Sequence, residues 1–323
     1  MFTRKNFLIG GVMLAAGGIG TAWAQPNSAA GRLARMTPNV KFKNLQTVKM
    51  LSDGGRVYAL SSRIDAISLS TVFVSPEGRV LVVDGGYYAD GPFLAELLRA
   101  LGGQVDYWFL THAHCDHFGA LVALADTCSD GGGIGIGELI YDFPDRTWME
   151  SLERGAGPEL EKFHAKLANG HLKGVTRGSC FPGRVVKFGS WAFEILNAPF
   201  KCNVNPVNNS SVMVSVKAGG KTWLETGDIG VEAGRDAMKM LGRRLKHDVV
   251  FLSHHGQCGA DKDFYAMVAP EAAVWPTPSW LWDNRAANGT CGSGPHLTNY
   301  TKCWMQELGV KRNYVLVKDY LFE

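Results

Sequence analysis

The sequence predicts an α/β fold with helices set against strands, and three observations predict it. Apolar runs of strand length alternate with helical patterns between residues 56 and 308. The 323-residue chain is 46% apolar, enough for one large core or two fused half-cores and too much for a disordered chain. A strand-to-helix turn packs three histidines and an aspartate into His112-Ala113-His114-Cys115-Asp116-His117, and such turns carry chemistry on a rigid scaffold. No repeat stands out at solenoid periods.

In chain order, segments 56–61, 67–75 and 79–84 read as strands joined by turns such as Pro76-Glu77-Gly78. Residues 91–101 read as a helix. Val105–Leu110 is a short buried strand and Phe118–Leu124 opens a helix, so the histidine run lies between them. Gly131–Gly137 lacks the Lys-Ser/Thr of a phosphate loop and reads as a flexible loop. Glu159–Lys166 is charged and reads as an exposed amphipathic helix. Segments 184–196, 211–217 and 221–226 read as antiparallel strands, the last two joined by a hairpin at Gly219-Gly220. A helix follows at 231–245, and the basic cluster Arg243–His247 reads as its solvated end, where cations suit the helix dipole. Strands at 248–253 and 271–275 and a helix at 298–308 complete the chain. Trp275–Trp282 either walls the mouth of a site with indoles or forms a proline-stiffened structural loop; both remain open.

The spacing of the histidine run has a physical meaning. His112 and His114 are two apart, so in extended backbone their side chains leave on one side and converge on one ion. Asp116 and His117 follow after the chain turns, and they suit a neighbouring ion. A two-metal centre explains this density better than three histidines satisfied by surface water.

His-x-His-x-Asp-His after a strand resembles the signature of the metallo-β-lactamase superfamily of metallo-hydrolases. Three further segments extend the resemblance. Val80–Gly86 is similar to the family's strand ending in an aspartate and paired glycines, Trp223–Asp228 to the strand that delivers a bridging aspartate, and Val249–Gly256 to the late strand whose tip supplies the last histidine. The resemblance covers roughly residues 55 to 320. The resemblance implies a four-layer αβ/βα sandwich and two divalent ions held by His112, His114, Asp116, His117, Asp228 and His255. Asn208–Val214, the hairpin at Gly219-Gly220 and His254-His255-Gly256 further resemble the hydrolase domain of ComEC-type competence proteins, relatives regarded as phosphodiesterases or nucleases.

One departure is plain. Many members place a further histidine between the first motif and the bridging aspartate, and here only His164 and His171 lie there, in or just after a charged stretch that reads as solvated. Asn203–Asn209 occupies the place of that ligand, so the first ion is expected to be completed by an asparagine or by water.

Imidazole-rich ligation suits zinc, and a centre with carboxylates also takes manganese or iron. In the mechanism this implies, Asp116 orients a metal-activated water and His254 protonates the leaving oxygen. His255 is assigned as the ligand from its place before Gly256, and the two histidines remain exchangeable at this level. The expected activity is hydrolysis of a phosphodiester or related phosphate ester. Hydrolysis of a β-lactam or lactone uses the same nucleophile, and a non-catalytic metal- or ligand-binding module is the alternative from another class.

Residues 1–24 combine Arg4-Lys5, an apolar run and Ala22-Trp23-Ala24, the pattern of a cleaved signal peptide, and Thr3–Leu8 also resembles a twin-arginine export signal. Residues 25–50 are expected as an N-terminal extension and 51–323 as the hydrolase domain, exported to the periplasm or secreted, with no membrane anchor after signal removal. Seven cysteines fit an oxidising compartment. Cys115, caught inside the metal loop, is expected unpaired; Cys180 with Cys202 and Cys291 with Cys303 are expected bridges by proximity, leaving Cys128 and Cys258 unassigned. The formal charge of +3 loses two basic residues with the signal, and no broad basic stripe remains. That disfavours a stable nucleic-acid partner and favours a small molecule or short phosphodiester.

Overall fold

Two sheets stack face to face between layers of helices in the computed structural model, which describes residues 40–127, 134–169, 172, 175–257 and 259–323. The N-terminal half supplies β1 (Gln46–Val48), β2 (Arg56–Ala59), β3 (Ser70–Val74), β4 (Val80–Asp84), β5 (Gln104–Phe109), β6 (Gly135–Ile140) and β7 (Thr176–Gly178). The C-terminal half supplies β8 (Val185–Phe188), β9 (Trp191–Ile195), β10 (Val214–Ala218), β11 (Lys221–Glu225), β12 (Val249–Phe251), β13 (Ala272–Trp275) and β14 (Arg312–Val315). A last strand, β15 (Tyr320–Phe322), crosses back and enters the first sheet between β1 and β2. The sheet orders are β1-β15-β2-β3-β4-β5-β6-β7 and β14-β13-β12-β11-β10-β9-β8.

Side-chain alternation assigns each strand to two cores at once. Along β4, Val80 and Val82 pack outward with the helices Gly91–Ala100 and Cys115–Thr127, while Leu81 and Val83 pack inward against the other sheet. Along β12, Val249 and Phe251 point inward and Val250 outward, toward the helices Val231–Leu241 and Lys262–Val268. The three clusters that result are helix on sheet, sheet on sheet and sheet on helix, which is the four-layer αβ/βα sandwich. β4 to β7 and β11 to β14 pair in parallel. Burial on both faces is why β4, β12 and β13 read as continuous apolar runs.

Several expectations need correction. Gly135–Gly137 is not a loop: it opens β6, and at Gly137 a Cβ would lie 2.7 Å from the Asp106 carbonyl oxygen; Gly131–Gly133 lie outside the described residues. Segment 184–196 is a hairpin turning at Gly189 (φ +66°), and the helix from 231 ends at Leu241 because Gly242 takes φ +51°. His247 is not solvated but buried, with Nδ1 3.0 Å from Leu245 O and Nε2 2.7 Å from Ser215 Oγ. Gln46–Val48, in the segment assigned to the extension, pairs in parallel with β15.

The expected disulfides are absent: Cys115, Cys180, Cys202, Cys291 and Cys303 are free thiols. Cys180 instead packs against the inter-sheet core, where burial pushes its thiol up to about 12, and Cys202 Sγ donates to Val204 O at 3.1 Å. Cys128 and Cys258 lie outside the described residues, as do residues 1–24. Among the described residues no helix is long and apolar enough to cross a membrane.

Candidate metal centre

The carboxyl ends of the parallel strands in both sheets meet at one edge, where ligands bind in open α/β sheets. β4 ends in Asp84, β5 runs into Thr111–His117, β11 into Thr226–Asp228, β12 into Ser253–Gly256 and β13 into Pro276-Thr277. Six side chains named from sequence converge there in two groups. Asp116, His117, Asp228 and His255 form one, His112, His114 and Asp228 the other, and within each group the ligand atoms lie within 4.8 Å of one another. Asp228 belongs to both, with Oδ1 3.3 Å from His117 Nε2 and Oδ2 3.3 Å from His255 Nε2 and 3.8 Å from His112 Nε2.

Each imidazole is held from behind by its other nitrogen, the arrangement that fixes tautomer and aim in metal sites. His117 Nδ1 lies 2.7 Å from Asp84 Oδ2, His114 Nε2 2.7 Å from Glu153 Oε1, and His255 Nδ1 3.0 Å from the Pro276 carbonyl. Thr111 Oγ1 donates its one hydrogen to Asp84 at 2.9 Å, so it accepts from His112 Nδ1 at 3.1 Å. The opposite nitrogens then face inward: His112 Nε2 and His114 Nδ1 are 3.1 Å apart, and buried His117 Nε2 faces Asp228 Oδ1 at 3.3 Å. Inward-facing imidazoles around Asp116 and the shared Asp228 fit divalent metal ions.

Backbone strain serves the same aim. His254 (φ 48°, ψ 49°) and His255 (φ 56°, ψ 23°) are both left-handed and Gly256 continues at φ 76°. Non-glycine residues held there cost on the order of 1–3 kcal/mol each and cluster at functional sites. The strain is held by Thr277 Oγ1 donating to His255 O at 2.6 Å and by Trp275, whose ring would lie 2.6 Å from any Cβ at residue 256. Thus the tryptophan-rich segment positions His255 from behind, and Trp275 is buried.

Burial disfavours charge here, but opposite charges outweigh it. Asp116 is held well below the usual carboxylate range by His117 and His255 despite its burial, and Asp228 likewise by His255 and His117. His255, desolvated but facing Asp228 and Asp116, is pushed up to about 9, and His117 goes well above its ordinary value through Asp228, Asp84 and Asp116. His112 moves the other way, down, from burial and the neighbouring His117. A folded-state imidazole near 9 against 6.5 unfolded stabilises below pH 6.5 and loses that contribution as pH rises toward 9. Chelator-treated protein should therefore show a thermal midpoint that falls between pH 6.5 and 9, where the lowered His112 no longer changes; a flat melting profile over that window would contradict it.

His164 lies on the helix Ala156–Asn169 with its ring 5.6 Å from Phe163, outside both groups, and His171 is outside the described residues. His254 is half-buried at the rim, its Nε2 3.3 Å from Asn208 Nδ2. The turn itself is buried: His112 and His117 are fully covered and Asp116 nearly so. Sequence reasoning did not single out Glu153, which lies outside any motif, named Pro276 only as part of the Trp275–Trp282 segment, and gave Asp84 no role although it closes a motif.

A sequence model of the metallo-beta-lactamase superfamily matches residues 65–254. ComE operon protein 3 of Bacillus subtilis (strain 168) is 27% identical over 203 residues, 61% of this chain and 25% of that protein. A UPF0173 metal-dependent hydrolase of Herpetosiphon aurantiacus is 34% identical over 106 residues, 32% of this chain and 43% of that one. The chain thus spans less than half the length of either relative. In fold, it resembles the crystal structure of the metallo-beta-lactamase fold protein YhfI from Bacillus subtilis, with a TM-score of 0.53 and 12% identity over 83% of this chain and 99% of that one. Sequence match, sheet order and the converging histidines and aspartates agree: the chain belongs to the metallo-beta-lactamase superfamily.

Proposed function

We propose that this chain is an exported hydrolase that uses two divalent ions, zinc by preference, to cleave a small phosphodiester or related phosphate ester. The observation that carries the reading is the pair of donor groups sharing Asp228, with each imidazole anchored from outside the cluster. His112, His114 and Asp228 would hold one ion, and Asp116, His117, Asp228 and His255 the other. When bound, such ions bring the pKa of a water toward neutrality and offset negative charge building on a phosphoryl oxygen. Asp116 accepts a hydrogen bond from the attacking water and orients it, and His254 at the rim gives a proton to the leaving oxygen.

The phosphodiester is supported by the resemblance of Asn208–Val214 and His254–Gly256 to ComEC-type hydrolase domains, and a short substrate by the near-neutral charge of the mature chain. Export rests on the pattern of residues 1–24. Protein loaded with zinc or manganese, assayed on bis-p-nitrophenyl phosphate, p-nitrophenyl phosphorylcholine, nitrocefin and a lactone, tests it. Turnover of the phosphodiesters is expected; preference for nitrocefin or the lactone would overturn the substrate class, and no turnover by fully metallated protein would leave a binding module.

The two adjacent histidines separate cleanly. His255→Ala should lose metal and activity together, because it opens a coordination position. His254→Ala should keep both metals yet slow esters with poor leaving groups far more than p-nitrophenyl esters, which need little protonation. Metal loss in His254→Ala with full occupancy in His255→Ala would exchange the roles.

A further inference from the structure

The two donor groups are unequal. Asp116, His117, Asp228 and His255 offer four ligand atoms, whereas His112, His114 and the shared Asp228 offer three. Zinc is held by four donors in structural sites and by three protein donors plus water in catalytic ones, so the smaller group has room for one more.

Asn208 is linked to that smaller group through its neighbours in the chain. It is 5% exposed and lies on the turn Pro206–Asn209, which is tied to the cluster at both ends. On one side the Val207 backbone bonds Glu153, whose Oε1 holds His114 Nε2 at 2.7 Å. On the other, Ser211 Oγ accepts the Asp228 N–H at 2.9 Å. Asn208 Nδ2 directs its two hydrogens to Asn205 Oδ1 at 3.0 Å and His254 Nε2 at 3.3 Å. In the resting chain, with His254 neutral and carrying its hydrogen on Nδ1, these bonds use up the amide's donors and leave Oδ1 as its acceptor end. Oδ1 is left buried with no hydrogen-bond partner among the described residues, a costly state for an acceptor and one that calls for an explanation such as an ion. Its neighbour Asn209 shows the contrast: that Oδ1 accepts from the Gly230 and Ala233 N–H groups at 2.8 and 3.1 Å, a purely structural use.

We propose that Asn208 Oδ1 is a ligand of the first ion, completing the set begun by His112, His114 and Asp228. The proposal rests on the binuclear reading above. An amide oxygen is a harder donor than imidazole, so the first site binds zinc less tightly than the second and tolerates manganese better than an all-imidazole site.

The test strips the full chain with chelator and titrates it with Zn2+ against a chromophoric chelator, reading stoichiometry and both stepwise affinities. Wild-type protein should take up two equivalents, one weaker. Asn208→Ala should weaken that step at least about tenfold and leave the tight step in place. Asn208→His should tighten the weak step beyond wild type, a gain that a packing defect cannot produce and that stands even where the alanine variant fails to fold. A weak step unmoved in both variants overturns the assignment of Asn208 while the binuclear reading stands. Wild-type protein that takes up less than one equivalent overturns both.

Discussion

Asp228→Ala should reduce hydrolysis by at least about 10³-fold and bring zinc content from two equivalents to near none. Asp228 alone faces both donor groups, with Oδ1 toward His117 and Oδ2 toward His112 and His255. Removing it withdraws a ligand from each ion and with it several kcal/mol of transition-state charge stabilisation, and each ~1.4 kcal/mol is tenfold in rate. The backbone should hold, because the Asp228 N–H still finds Ser211 Oγ and Thr226 Oγ1 still donates to Phe251 O at 2.7 Å. Elemental analysis with steady-state rates on an activated phosphodiester checks it. A folded variant that keeps two zinc ions would show that the carboxylate does not bridge.

Trp223→Ala should cost about 3–5 kcal/mol of stability, the range for emptying a large aromatic site in a core. Trp223 is fully buried on β11, with ring centroids 6.0 Å from Phe73 of the other sheet, 6.4 Å from Phe251 and 5.3 Å from Phe322. It therefore joins three strands of the sandwich, including β15 from the chain's end. In a domain of this size the loss should lower the thermal midpoint by on the order of 10 °C. A shift under about 2 °C, corresponding to under ~1 kcal/mol, would mean the two sheets do not depend on a shared core at this point.

Which parts of the molecule were legible in sequence follows from the range over which each feature acts. β2 to β5, the hairpin at Gly219-Gly220 and the helices from 91 and 298 were readable because alternation, turn glycines and helical spacing are properties of neighbours along the chain. β6 was misread as a loop because glycines at 135 and 137 carry a turn signal locally. In the sheet, close approach to Asp106 on the adjacent strand requires at least one of them. Strands β1, β7, β14 and β15 are only three or four residues long, and their pairing partners, not their composition, make them strands.

By itself the sequence determined the fold class, the superfamily and the six residues that converge, because four of the six are packed within His112–His117 and the other two end recognisable buried strands. Only the tertiary structure decided how those residues are aimed. His117 is held by Asp84, His114 by Glu153 and His255 by Pro276, pairs separated by 33, 39 and 21 positions. The same holds for the thiols that stay apart and for the buried amide oxygen of Asn208. Hydrogen bonds act over about 3 Å of space whatever the distance along the chain. Which groups come that close is set by how two sheets and their helices pack, a many-body outcome that residue spacing does not encode locally.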